Sequence, residues 1–128
     1  MAGLSDGDRA RYARHLTLPQ VGEIGQSKLK NSRVFCVGAG GLGSPALLYL
    51  AAAGIGHLTV IDDDTIEQSN LQRQILHADD DVGISKAESA MLRLRELNPT
   101  ISIKVYAERL TSENAMELIQ GHDIVLDG

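Results

Sequence analysis

The sequence predicts an α/β fold, a mainly parallel, doubly wound sheet with helices on both faces, from three observations. Apolar runs suited to strands alternate with longer runs suited to helices. The first strand candidate, Val34-Phe35-Cys36-Val37, passes directly into Gly38-Ala39-Gly40-Gly41-Leu42-Gly43 and then a helix-forming stretch. The second, residues 57–61, ends in Asp62, about 20 residues beyond the glycines. Glycines let the chain turn sharply and bring its N–H groups up to a phosphate, and the following helix N-terminus adds partial positive charge. An acid at the end of the next strand is placed to hold ribose hydroxyls. The order predicts a Rossmann-like nucleotide site.

The elements follow in sequence. Residues 6–16 read as a short charged helix and 22–30 as a second, together an N-terminal helical arm over 1–32. Residues 33–128 then form the nucleotide-binding domain. Within it 33–37 is a strand, 41–53 a helix and 57–61 a strand. Residues 62–81 are polar and irregular. Residues 85–97 form a helix, with Ala87, Met91, Leu94 and Leu97 at helical spacing and Asn98-Pro99 as its stop. Residues 101–106 alternate as a strand, 112–120 form a helix, and 122–126 a final buried-looking strand. The chain ends as that strand reaches its C-terminal end, so it reads as the N-terminal part of a larger protein or a truncated product.

Composition narrows the classes. The 128 residues suffice for one domain with a core. Hydrophobic residues make up 43% and charged residues 23%, ordinary for a globular protein, while aromatics reach only 3%, so aliphatic side chains must build the interior. A net charge of −5 argues against a nucleic-acid binder. No apolar stretch is long enough to span a bilayer, and the N-terminus lacks a signal-peptide pattern, so a cytoplasmic location is expected. The lone Cys36 excludes an internal disulfide or a paired-cysteine zinc site, and its apolar neighbours make it a core residue.

Beyond the glycine loop, three segments are candidates for chemistry. In Asp62-Asp63-Asp64-Thr65-Ile66-Glu67, Asp62 is the ribose candidate and Asp63 and Glu67 read as solvated. Ser69-Asn70-Leu71-Gln72-Arg73-Gln74 is too polar to be core. It is either a surface turn capped by Asn70 or a segment that points Asn70, Arg73 and Gln74 at a nucleotide, with Arg73 forking onto phosphate oxygens. Lys86 opposes the dipole at the start of its helix, a cost that a nearby anion would reverse; residue type alone makes it an exposed lysine. His15, His57, His77 and His122 have no partner at ligand spacing and receive no role.

Arg11-Tyr12-x-Arg14, Gly38-x-Gly40-Gly41-Leu42-Gly43, Asp62-x-Asp64, Ser69-Asn70-Leu71-Gln72-Arg73-Gln74 and Gly83-x-x-Lys86 occur in one order. Jointly they resemble the MoeB/ThiF family, the ubiquitin-activating-enzyme-like adenylyltransferases, over nearly the whole chain. The resemblance implies ATP- and Mg²⁺-dependent adenylation of the C-terminal glycine carboxylate of a small ubiquitin-like sulfur-carrier protein, of the molybdopterin or thiamine type. It implies Gly41 against the phosphates and Asp62 on the ribose. Asn70, Arg73 and Lys86 would contact the triphosphate, and Arg14 would reach into the site of the other subunit of a homodimer. Gly38, Gly40, Gly43, Asp64, Ser69, Leu71, Gln72 and Gln74 complete the implied nucleotide-binding set. The Mg²⁺-binding aspartate and the zinc-binding cysteine pairs of the family fall beyond Gly128, so this chain is assigned no metal ligand and is expected to be inactive or impaired by itself. Two alternatives remain at this point, an NAD-dependent oxidoreductase domain and a truncated, non-catalytic homologue that binds nucleotide or dimerises.

Overall fold

The computed structural model describes residues 3–128; Met1 and Ala2, the start of the predicted arm, lie outside the described residues. Four parallel strands, β1 (Arg33–Val37), β2 (His57–Ile61), β3 (Ser102–Tyr106) and β4 (Ile124–Asp127), lie in the order β3-β2-β1-β4. Leu126, Cys36, Val60 and Val105 fall in one row across the sheet, and Ile124, Val34, Leu58 and Ile103 in the next on the same face. On that face pack Leu47 and Ala51 of α4 (Gly43–Ala53) and Ala90 and Leu94 of α5 (Lys86–Leu97), all fully buried. Both helices connect strands that step the same way, so the right-handed crossover rule puts them on one face. The β3–β4 connection steps back past β1 and runs over the opposite face. His122 from that connection stands edge-on to Phe35 at 5.2 Å and hydrogen-bonds the Thr59 hydroxyl at 2.8 Å.

The architecture is the predicted one, with differences in detail. The helix expected over 6–16 is two, α1 (Asp6–Arg11) and α2 (Ala13–Leu16), because the chain breaks at Tyr12 to bury its ring. The 22–30 helix is α3 (Gly22–Lys30). α4 starts at Gly43 rather than residue 41, since residues 38–42 are taken up by the turn. Ser85 caps α5 from outside, its hydroxyl accepting the Glu88 N–H at 3.0 Å. The buried row of α5 is Ala87, Ala90 and Leu94, with Lys86 and Ser89 beside it; Leu97, one of the residues at helical spacing, is 40% exposed. The 112–120 helix shortens to α6 (Ala115–Ile119). β4 was expected to be buried, yet the strand order makes it an edge paired only to β1. Ile124 and Val125 are 58% and 46% exposed. Among the described residues no helix is long and apolar enough to cross a membrane.

α1 to α3 are tied to the N-terminal ends of the strands. Lys30 binds the Asp8 carboxylate at 2.8 Å and holds that carboxyl below its usual range. Gln26, fully buried, donates to the Ala53 carbonyl at the end of α4 and bonds the His15 ring with its oxygen. Gly54 follows with φ +92, and any side chain there would meet the Tyr12 ring at 2.6 Å and the Gln26 amide at 2.7 Å. The Asn98 amide donates to the Tyr12 hydroxyl at 2.7 Å and the Ala51 carbonyl at 2.8 Å, while its oxygen accepts from the backbone and hydroxyl of Thr100. Asn98 is 1% exposed, so its removal strands several buried polar groups. Asn98→Ala is expected to cost about 2–4 kcal/mol and Tyr12→Phe about 1 kcal/mol, measured by urea unfolding. Equal effects would contradict this account of the junction.

Candidate nucleotide-binding site

The site is built at the C-terminal ends of β1, β2 and β3. After β1 the chain turns at Gly38 (φ +100) and enters α4 so closely that a Cβ on Gly43 would lie 2.1 Å from the Gly38 carbonyl oxygen. Only glycine permits that approach. Asp62, at the end of β2, reaches across and fixes the turn. Its Oδ2 accepts the Ala39 N–H at 2.8 Å, and its Oδ1 accepts the Asp64 N–H at 2.8 Å. Among the described residues neither the Gly40 nor the Gly41 N–H donates to a backbone acceptor, which leaves both donors available.

Two clefts of about 320 Å³ each flank this loop and share Asp64. One is lined by Val37, Gly38, Ile61, Asp62 and Glu108–Leu110 among others. The other is almost wholly polar, lined by Asp64, Thr65, Glu67, Asn70, Arg73, Gln74 and Lys86. Lys86 is 6% exposed, which overturns the expectation drawn from residue type alone. Its ammonium lies 3.6 Å from Asp64 and 3.8 Å from where a Cβ on Gly40 would stand. Two constraints put it there. A Thr65–Ser85 bridge joins the β2 exit to the start of α5, and the Lys86 N–H donates to the Asp64 carbonyl at 2.9 Å.

The predicted residues are therefore brought together in part. Gly38, Asp62 and Asp64 line the first cleft, and Asp64, Asn70, Arg73, Gln74 and Lys86 the second. Gly40 adjoins the second through Gln74 and Lys86. Gly41 lies exposed at the turn. Ser69 and Gln72 are exposed and Leu71 is half-buried, and none of the three lines either cleft. Asn70 also caps its own turn, its Oδ1 accepting the Glu67 N–H at 3.3 Å. Gln74 is 3% exposed, with an Oε1 that finds no partner. Arg14 sits on the exposed side of α2 and lines neither cleft. Sequence reasoning missed Glu108, Arg109 and Leu110; the rule that ligands sit outside strand ends would have selected the loop after β3.

The carboxylates of Asp62, Asp63 and Asp64 approach within 4.8 Å of one another. They do not fit a metal held by this chain alone, since the Lys86 ammonium 3.6 Å from Asp64 would repel a cation there and Asp63 and Asp64 are exposed. Cys36 is no ligand either. Burial, aided by Asp127 and Asp62, pushes its thiol up to about 11.

Behind the loop, His77 is 6% exposed and bonds the Ala39 carbonyl through Nε2 and the Ser89 hydroxyl through Nδ1, both at 2.7 Å. Ser89 in turn donates to Asp81, which pairs with Arg93 at 3.0 Å. Burial pushes Asp81 up, but the Ala78 N–H, Ser89 and Arg93 outweigh it and hold its carboxyl below the usual range. For His77 burial wins over the hydrogen bond to the Ala39 carbonyl, helped by Lys86 and against Asp81 and Asp62, so the ring titrates lower than usual.

The chain matches the model of the ThiF family over residues 12–128. It is 53% identical over 118 residues to a probable molybdopterin-synthase adenylyltransferase of Porphyra purpurea, covering 92% of this chain and 31% of that protein. It is equally 53% identical over 117 residues to the SAMP-activating enzyme E1 of Haloferax volcanii, covering 91% and 43%. The chain thus spans well under half the length of these relatives. Among solved structures it resembles the E. coli tRNA N6-threonylcarbamoyladenosine dehydratase TcdA in complex with AMP (TM-score 0.91, 34% identity, 99% of this chain and 51% of that one). It also resembles E. coli MccB with AMPCPP and MccA (TM-score 0.79, 32% identity, 95% and 36%).

A depressed histidine contributes stability that is complete above the unfolded value of about 6.5 and lost as pH falls below it. Wild-type stability is therefore expected to decline between pH 7.5 and 5.5 more steeply than that of His77→Gln in urea titrations. His57, also lowered by burial and by Arg33, leaves the variant part of the slope. Parallel slopes would show that His77 is not the group concerned. The glycine turn, the order of strands and the family match together establish that this chain belongs to the ThiF family.

Proposed function

We propose that this chain is the N-terminal, ATP-binding part of a cytoplasmic enzyme that adenylates the C-terminal glycine carboxylate of a small ubiquitin-like sulfur-carrier protein. The observation that carries this reading is the buried Lys86 ammonium behind the glycine loop. Its ionic partner Asp64 is 3.6 Å away and itself largely exposed. A buried cation so loosely neutralised gains from an incoming anion. Arg73 and Asn70 on the same cleft add donors of the kind that phosphate oxygens accept.

The reaction suits these groups. A carrier carboxylate oxygen bonds to the α-phosphorus as the bond to pyrophosphate breaks, and no proton must move. The difficulty is an anion approaching an anion, and fixed cations answer it by stabilising charge that grows in the transition state. Lys86 and Arg73 take that role, the Gly40 and Gly41 N–H groups face the phosphates, and Asp62 holds the ribose. The names of the Porphyra and Haloferax relatives favour a molybdopterin-synthase-type or related carrier over a thiamine-type one. An oxidoreductase has no comparable use for Lys86 and Arg73 beside the loop.

Arg14 we assign to the site of a second copy. Its neighbour His15 bonds Gln26, which bonds the last residue of α4, whereas the glycine loop lies at the first. An 11-residue helix separates them by about 16 Å, beyond the reach of an arginine side chain.

ATP is expected to raise the melting temperature where NAD at equal concentration does not. Lys86→Ala and Arg73→Ala should each weaken ATP binding about 10- to 100-fold by calorimetry, the worth of a charge-assisted contact. Protection by NAD alone would overturn the reading. Arg14→Ala should weaken ATP binding in a dimeric sample and have no effect in a monomeric one.

A further inference from the structure

His77, which belongs to none of the sequence motifs, is hydrogen-bonded to the Ala39 carbonyl within the glycine loop. We infer that His77 is a positioning residue that sets the direction of the Gly40 N–H through the Ala39 carbonyl, with Ser89 and Asp81 holding its ring. The inference deepens the nucleotide-binding reading above and rests on it for its consequence.

The geometry begins with planarity. In a trans peptide the carbonyl and the next N–H point in opposite directions. Ala39 is fully buried and gripped on both sides. Its N–H goes to Asp62 Oδ2 at 2.8 Å, and its carbonyl goes to His77 Nε2 at 2.7 Å. Asp62 thus fixes peptide 38–39 and His77 fixes peptide 39–40. Drawing the Ala39 carbonyl inward to His77 turns the Gly40 N–H the other way. A glycine at 40 cannot hold that peptide by its own backbone preference, so an external tether is required.

The ring's proton is specified by its partners. A carbonyl only accepts, so Nε2 carries the hydrogen of the neutral ring. Nδ1 is then an acceptor for the Ser89 hydroxyl proton, in competition with Asp81 Oδ2 at 2.9 Å from the same oxygen. Asp81 is itself fixed by the Ala78 N–H at 3.0 Å and by Arg93. The charged groups facing the ring are Lys86, Asp81 and Asp62. This chain of contacts runs from the surface of α5 to the loop. It connects a buried histidine to a peptide that binds no other protein group on its N–H side among the described backbone contacts.

The test uses the 128-residue chain with and without ATP, and two readouts. The backbone order parameter of the Gly40 amide, which shares its peptide with the Ala39 carbonyl, reports the tether in the ligand-free protein by NMR, and calorimetry reports ATP affinity. His77→Phe keeps the ring's bulk and removes the donor. It is expected to lower the Gly40 order parameter from about 0.85 to below about 0.6, leave residues 34–37 unchanged, and weaken ATP binding about 10-fold, the scale of one buried hydrogen bond. His77→Gln can still donate to the Ala39 carbonyl and should restore the Gly40 order parameter and bring ATP affinity back to within about 3-fold. Ser89→Ala, which frees Nδ1, should give an intermediate effect, and decides the matter if the phenylalanine variant does not fold. An unchanged Gly40 order parameter in a folded His77→Phe or Ser89→Ala chain overturns the inference. So does failure of His77→Gln to restore it. Absence of ATP binding by the wild type would instead refute the proposed function, and the NMR data would still judge His77.

Discussion

The ligand end of this molecule depends on how closely α4 can approach the end of β1. That approach is set by two glycines that share one contact, Gly43 lying where any side chain would strike the Gly38 carbonyl. Once the helix starts that near the strand, the intervening turn has little freedom, and its N–H groups are left facing out of the sheet edge. The turn could still collapse onto itself. Asp62 prevents this by taking the Ala39 N–H, while the Gly38 N–H goes to the Ile61 carbonyl of β2. The acid at the end of β2 therefore supports the loop as well as bordering the cleft, and each of its oxygens keeps a second lone-pair direction for another partner.

Charge has to be read locally in such a site. The whole chain is acidic at −5, yet one of the two clefts brings Lys86 and Arg73 together. Three consecutive aspartates stand beside them, so the local field is mixed, not uniformly positive. The arrangement discriminates by position: an anion is favoured only where it meets the lysine and the loop N–H groups at once. A diffuse positive patch would attract any polyanion, which is what the overall charge opposes.

Sequence spacing made the parallel strand–helix alternation, the glycine turn and Asp62 legible, because each depends on contacts within one strand–helix–strand unit. Lys86 was not legible from its residue type. Its burial follows from the Thr65–Ser85 bridge, a tertiary contact that draws the first turn of α5 under the loop, and only the joint order of motifs pointed to it. The Glu108–Leu110 loop was missed because it carries no motif and enters the cleft by topology alone. His77 was passed over since its partners, Ala39 and Ser89, are 38 and 12 residues away and neither is a residue type that advertises a histidine. The exposed β4 shows the limit of an apolar run as a signal. Hydrophobicity identifies a strand that wants neighbours on both edges, while the strand order decides how many it gets.

The two ends of the sheet are held by different means, and the difference is physical. At the N-terminal ends of the strands, Tyr12, Gln26 and Asn98 are buried with satisfied hydrogen bonds and tie α1–α3 to the ends of α4 and α5. Such a junction is specific and rigid, because each buried polar atom has one good partner and a large penalty for losing it. At the C-terminal ends the polar atoms are arranged the opposite way. Among the described residues the buried Gln74 oxygen has no partner, the buried Lys86 ammonium has a distant one, and the Gly40 and Gly41 N–H groups donate to no backbone acceptor. Burying the first two so poorly paired costs stability, and the tightly bonded pole supplies the surplus that makes it tolerable. A ligand with phosphate oxygens would repay that cost at the point where it accumulates, so the fold is least complete where binding should contribute most.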